Sequence, residues 1–228
     1  INRNGNHQYW VDGGVKVPSV TGLVGHVDSG VMSAGIGYAV RQIRLHDGDT
    51  SAPDRLSKEA LDEGNRLHDD ADAFIQRGEI AEDNPLFIAW LHEIGLHHDW
   101  LASEIFIYNR EHQFGGTVDA LSDGVIWDWK TVNPGERPDK ARGIKGSGWL
   151  KDGSTLRKAK DSAQLAAYAY TLADMGSRYV PTEGRIAYIL RDASQIVVEE
   201  VDLAWGWKLF QASKTIYHLR KEQAAVHA

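Results

Sequence analysis

The stretch GGTVDALSDGVIWDWKT, Gly115 to Thr131, decides how this chain folds. TVDALS and VIWDWK are short runs of β-branched and aromatic residues, and the Asp123-Gly124 between them is the strongest local signal for a two-residue type I′ hairpin. That register pairs Ser122 with Val125, Leu121 with Ile126 and Ala120 with Trp127, and it sets Asp119 opposite Asp128. Thr117, Asp119, Asp128 and Lys130 then share one face, with Val118, Ala120, Trp127 and Trp129 on the other. Directly opposed residues have Cβ atoms about 4.5–5.5 Å apart, so facing carboxylates destabilise a sheet unless a cation or shared proton neutralises them. A hard divalent cation held by carboxylate oxygens is the economical explanation.

The rest of the chain sets the frame for that hairpin. Its 228 residues are 42% hydrophobic, with eight Trp, eight Tyr and five Phe, which is the composition of a globular protein with one substantial core. A single domain spanning 1–228 is expected. No apolar run reaches the roughly 18 residues of a membrane span, and no charged-then-apolar leader is present. The chain has no cysteine, which excludes disulfides, Cys-bound zinc and an iron–sulfur cluster. That usage fits a reducing cytoplasm. A net charge of −7 argues against a general nucleic-acid coat and directs attention to local basic patches.

Periodicity places the elements. HQYWVDGGVKVPSVT reads as a hairpin around Asp12-Gly13-Gly14, followed by a helical GVMSAGIGYAVRQIRLH. A stronger helix runs from Ser57 to Gly78, and another begins after Asn84-Pro85 and continues through NPLFIAWLHEIGLHHDWL. SEIFIYNREHQFGGTVDALSDGVIWDWKT supplies three successive strands. A polar, basic loop insertion covers about 133–160, and a helix forms around DSAQLAAYAYTLADMG. A strand pair turned at Asp192-Ala193-Ser194 and a closing helix complete the chain. Helices, a mostly antiparallel mixed sheet and further helices indicate an α/β (α+β) domain with the sheet between helical layers.

Several residues could serve the proposed cation. Lys130 is the only lysine with an acid two positions before it. On the face of two metal-holding aspartates, it could orient or help deprotonate a water, or offset charge growing on phosphorus. His68 sits one turn after Gly64. It reads either as a satisfied surface histidine or, if Gly64 lets its helix approach the sheet, as a nitrogen ligand. Asp69 and Asp70 read as the solvated face. Gln164 and Tyr168, one turn apart, are either a helix boundary or donors positioning a phosphate or the lysine. Arg142, Lys145, Lys151, Arg157, Lys158 and Lys160, with Trp149 among them, are either a solvated loop or a clamp on a DNA backbone. Two motifs fail. HEIGLHH places its second histidine one residue late for a zinc-protease helix, and GIKGSG lacks the spacing of a nucleotide-binding loop, so no nucleotide cofactor is expected.

Taken in order, GNRLH (Gly64–His68), GTVD (Gly116–Asp119), WDWKT (Trp127–Thr131) and QLAAY (Gln164–Tyr168) resemble the RecB-type branch of the PD-(D/E)XK nuclease superfamily. VPSVTGLV before them resembles a segment of its phage and mitochondrial genome maintenance exonuclease members. The resemblance covers roughly residues 7–220. It implies a restriction-endonuclease-like core, Mg²⁺ or Mn²⁺ as cofactor, and DNA as partner. It further implies His68, Asp119, Asp128 and the backbone carbonyl of Trp129 as metal ligands, with Glu104 as an additional acid. Lys130 would be catalytic, and Gln164 and Tyr168 would support it. The implied activity is exonucleolytic hydrolysis of single-stranded DNA to 5′-phosphate products, in recombination, repair or replication, in the cytoplasm of a host if the chain is phage-encoded. Two other readings remain: an endonuclease of the same chemistry, and a non-catalytic nucleic-acid-binding module on the same fold.

Overall fold

The Asp123-Gly124 turn forms, with Ser122, Leu121 and Ala120 paired to Val125, Ile126 and Trp127. In the computed structural model, which describes residues 2–3, 8–11, 14–25, 39–132 and 156–226, this hairpin is the centre of a five-stranded mixed sheet. The strands are β4 (Trp100–Asn109), β5 (Phe114–Ser122), β6 (Val125–Val132), β7 (Glu183–Leu190) and β8 (Ile196–Val201), in that spatial order. Only β6 and β7 run parallel. A small antiparallel sheet, β1 (Asn2–Arg3), β2 (Tyr9–Val11) and β3 (Val15–Val17), precedes it; β2 and β3 pair as the expected hairpin requires, and Asp12 and Gly13 of its turn lie outside the described residues.

Two apolar layers flank the sheet. On one face α1 (Val20–Val24), α4 (Leu156–Asp174) and α5 (Leu203–Val226) bury Leu23, Leu165, Leu172 and Phe210 against Val118, Ile126, Ile186 and Tyr188. On the other, α2 (Ala52–Arg77) and α3 (Pro85–Glu93) bury Leu67, Phe87 and Trp90 against Trp127, Trp129 and Ile189. The period-two alternation of β6 thus sends its tryptophans into an aromatic layer, where Trp90 meets Trp129 at 5.3 Å between ring centroids. Asp128 and Lys130 are left facing α4. Among the described residues no helix is long and apolar enough to cross a membrane.

The structure corrects the sequence reading in several places. Type I′ geometry requires positive φ at both turn residues, but only Gly124 has it, at 71°. The turn is held instead by β7, since the amides of Thr182 and Glu183 both donate to the Gly124 carbonyl at 2.9 and 3.1 Å. α2 starts at Ala52, not Ser57. Ser57 is not a cap; its hydroxyl donates back to the Pro53 carbonyl at 2.7 Å inside the helix. α3 ends at Glu93, where the sequence reading carried it on through Leu101. Gly95 folds the chain over Trp90, whose ring would lie 2.8 Å from a Cβ at that position, and Trp100 already belongs to β4. Asp70 is not simply solvated, because it accepts from the Asn84 amide at 2.6 Å and so ties α2 to the cap of α3. Of the helix expected over 30–46, residues 39–45 are helical and 30–38 lie outside the described residues. The last residues of the expected basic loop, from Leu156, are the first turn of α4.

Beyond Ala120 and Trp127 the β5–β6 ladder has no further pairs, so Asp119 and Asp128 do not face one another as cross-strand partners. Instead the Trp129 amide donates to the Asp119 carboxylate at 2.7 Å, a side chain occupying the gap where the ladder would have continued.

Candidate metal centre

Where β5 parts from β6, the β4–β5 ladder is also disturbed, at Glu104. Ser103 points toward α2, its hydroxyl donating to Asp72 at 2.5 Å, whereas Ile105 packs against the opposite layer. Ala120 and Val118, their partners on β5, divide the same way. Both strands therefore change face at Glu104 and Asp119. Glu104 absorbs the change with φ 47°, a left-handed conformation that costs a non-glycine residue about 1–3 kcal/mol. Strain of this kind persists where the surrounding structure enforces it, and here it carries an acid to the mouth of the site.

Three side chains converge there. His68 Nδ1 is 3.8 Å from Glu104 Oε1 and 3.6 Å from Asp119 Oδ1. One ligand atom from each of the three lies within 4.8 Å of the others. These separations exceed hydrogen-bond length and fall between the roughly 3.0 Å of adjacent and roughly 4.2 Å of opposite ligands about 2.1 Å from a shared octahedral ion. Asp119 divides its oxygens, Oδ2 accepting from the Trp129 amide while Oδ1 faces His68. Burial works against a charge on His68, but the Asp119 carboxylate, with Glu104, raises its pKa to about 8. The two acids thus favour the protonated form of His68 between them.

The second part of the site is an ion pair. Lys130 Nζ donates to Asp128 Oδ1 at 2.8 Å and lies 2.7 Å from Oδ2. The Oδ2 contact is off the hydrogen-bonding direction, which leaves that oxygen, on a carboxylate only 1% exposed, without a hydrogen bond. Gln164 donates its amide to Asp128 Oδ1 at 3.0 Å. Burial pushes the Asp128 carboxyl up against the pull of Lys130. Lys130 also loses by burial, but Asp128, Asp119 and Asp161 hold its pKa above the ordinary lysine range. A buried carboxylate oxygen without a hydrogen bond, one strand away from a His–Glu–Asp cluster, suits a hard divalent cation.

α4 closes this side. Tyr168, one turn after Gln164, is buried and neutral, its phenol held well above its usual range by burial. Its ring covers Gly116, where a Cβ would fall 2.5 Å from Tyr168 Cε1, so this glycine of GTVD makes room for this tyrosine of QLAAY. Gly115 is tied to the VPSVT segment through its amide and the Pro18 carbonyl at 3.0 Å, and Tyr9 pairs with Thr117 at 2.9 Å. Gly64 matters less than its motif suggests. A Cβ there would meet Thr131 Oγ1 at 3.4 Å, ordinary contact, so α2 comes close to β6 without demanding glycine.

The structure therefore brings His68, Glu104, Asp119, Asp128, Lys130, Gln164 and Tyr168 together. The Trp129 peptide is fixed beside them through its amide. Asp128 departs from its expected place in that it is clasped by Lys130 and Gln164 and stands outside the His68–Glu104–Asp119 group. The basic residues divide differently. Arg142, Lys145, Trp149 and Lys151 lie outside the described residues, while Arg157, Lys158 and Lys160 belong to the start of α4. Sequence reasoning assigned no role to Asp161, the first residue of DSAQLAAYAYTLADMG. It is 4% exposed and accepts from the Tyr188 hydroxyl at 2.9 Å. Its spacing to Gln164 and Tyr168, three and seven residues, was the available signal.

No family model and no curated protein matches the sequence. Among solved structures, SSO0001 aligns over 87% of this chain and 74% of its own, at 16% identity and a TM-score of 0.37. LHK-Exo in complex with dAMP aligns over 93% and 95%, at 17% identity and a TM-score of 0.39.

Proposed function

We propose that this chain is a divalent-cation-dependent deoxyribonuclease, and specifically an exonuclease that hydrolyses single-stranded DNA from an end with Mg²⁺ or Mn²⁺. The observation that carries the reading is the meeting of His68, Glu104 and Asp119 within 4.8 Å, beside the buried Asp128 and its ion pair with Lys130. His68, Glu104, Asp119, Asp128 and the Trp129 carbonyl would hold the cation. Bound there, it would lower the pKa of a coordinated water and polarise a phosphate oxygen.

The remaining work falls to the chain itself. Asp119 is oriented by the Trp129 amide and Asp128 by Gln164, so neither carboxylate must reorganise to meet a positive charge. Lys130 is partly exposed, 28% of its side chain reaching the surface, and its ammonium is placed to offset negative charge growing on phosphorus. Arg157, Lys158 and Lys160, together with the basic residues before them, would meet the DNA backbone.

Two other readings use the same residues: an endonuclease, and a binding module without chemistry. A strained Glu104 and a buried Asp128 carboxylate are costs that DNA binding does not require, which favours an enzyme. Incubating linear and covalently closed circular single-stranded DNA with Mn²⁺ separates all three. The exonuclease degrades only linear molecules, an endonuclease opens circles, and a binding module leaves both intact. Asp128→Ala and Lys130→Ala are expected to abolish digestion while DNA binding survives. Digestion at the wild-type rate by either variant would refute the site.

A further inference from the structure

We propose that Asp72 is a positioning residue for the metal centre: through Ser103 it holds β4 in the conformation that presents Glu104 to the cation. The inference rests on the metal site of the nuclease reading above.

Its ground is a matched pair of contacts between α2 and β4. Asp72 is one turn after His68, so both project from the same face of α2. Ser103 and Glu104 are consecutive on β4, and successive residues of a regular strand point to opposite faces, so only one of the two should reach α2. Both do. The Ser103 hydroxyl donates to Asp72 Oδ1 at 2.5 Å, and Glu104 Oε1 lies 3.8 Å from His68 Nδ1. The left-handed φ of 47° at Glu104 makes this possible, and a non-glycine residue keeps such a conformation only where its surroundings enforce it. Ile105 restrains one side of Glu104 by packing in the opposite apolar layer, and the Ser103–Asp72 bond restrains the other. A hydrogen bond to a carboxylate is about twice as strong as one between neutral groups, and Ser103 is buried, with little water to compete for it. Gln76, one turn further along α2, donates to the same Asp72 oxygen at 2.7 Å, so the carboxylate is also held from its own helix. Without the bond, β4 is free to return to regular alternation, which carries Glu104 away from His68.

Mn²⁺ binding by the full chain, measured by calorimetry without DNA, tests this apart from turnover. Asp72→Ala and Ser103→Ala are each expected to weaken Mn²⁺ binding at least about tenfold, the loss usual when a group that orients a metal ligand is removed. Asp72→Asn keeps an acceptor for the Ser103 hydroxyl and should stay within about threefold of wild type. In a Glu104→Ala background, Asp72→Ala should change the affinity less than about twofold, because a tie that acts through Glu104 then has nothing to position. A general loosening of the fold would instead cost the same in both backgrounds. Should Asp72→Ala not fold, Ser103→Ala takes its place in the same cycle. Wild-type affinity in folded Ser103→Ala, or equal losses with and without Glu104, overturns the inference and leaves the metal site standing. If the wild-type protein binds no Mn²⁺, the nuclease reading fails instead. Backbone chemical shifts of metal-free Asp72→Ala then decide whether Asp72 holds Glu104: a move of Glu104 from left-handed to extended values supports it, and wild-type values overturn it.

Discussion

Gly116→Ala tests whether the two halves of the site are fitted to one another. The added methyl would lie 2.5 Å from Tyr168 Cε1, 3.2 Å from Cδ1 and 3.3 Å from Cζ. Carbon atoms pack at about 3.5–4.0 Å, so the ring must retreat by about 1 Å. Tyr168 is 4% exposed and has no solvent to move into. Overpacking of this kind costs about 1–3 kcal/mol. Replacing glycine returns about 0.4–1 kcal/mol through the unfolded chain, so the net loss is about 1–2 kcal/mol. At about 2–4 °C per kcal/mol for a chain of this size, calorimetry should find Tm lowered by about 2–8 °C. The control is Tyr168→Leu, which removes the offending ring atoms. In that background Gly116→Ala should cost little or nothing, and an equal cost in both backgrounds would refute the proposed fit.

Other expectations follow from the same geometry. Gly206→Ala places a methyl 2.5 Å from the backbone oxygen of Ser162, an atom that cannot swing away, so α5 must separate from α4 and Tm should fall further than for Gly116→Ala, by calorimetry on both. With His68 raised from 6.5 to about 8, its stabilisation of the metal-free protein is complete below pH 6.5 and lost as pH rises through 8, a difference of about 2 kcal/mol at most. Urea unfolding in chelator should follow that window, and His68→Gln should flatten it. Because the ligand form of His68 is neutral, Mn²⁺ affinity by calorimetry should rise about tenfold per pH unit up to about pH 8 and then level off.

Much of this was legible in the chain. Asp123-Gly124 placed the hairpin and the register of its first three pairs, because turn chemistry acts locally. Alternation placed Trp127 and Trp129 in one layer and Asp128 and Lys130 in the other, because period two is fixed by the backbone. What alternation does not state is where a ladder ends. The parting of β5 from β6 after Ala120 depends on a carboxylate capturing the Trp129 amide, a tertiary contact with no signature in spacing. Glu104 was seen as an extra acid, but nothing in its residue type announces a left-handed conformation, which usually favours glycine or asparagine. Asp161 was hidden by its surroundings, one acid after three basic residues, although its helical spacing to Gln164 and Tyr168 pointed inward.

That parting of the strands also explains the opening pair of aspartates. Asp119 and Asp128 are not partners on a ladder. One is tied to the backbone and faces His68, and the other is buried against Lys130, so each is held in place before any cation arrives. Preorganisation of this kind suits the proposed metal site, and the position of the ion tests it. Crystals grown with Mn²⁺ and measured at its absorption edge locate the ion by anomalous scattering. The expected peak lies within about 2.6 Å of ligand atoms from His68, Glu104 or Asp119 together with Asp128. A peak elsewhere, or none at saturating Mn²⁺, would contradict the assignment.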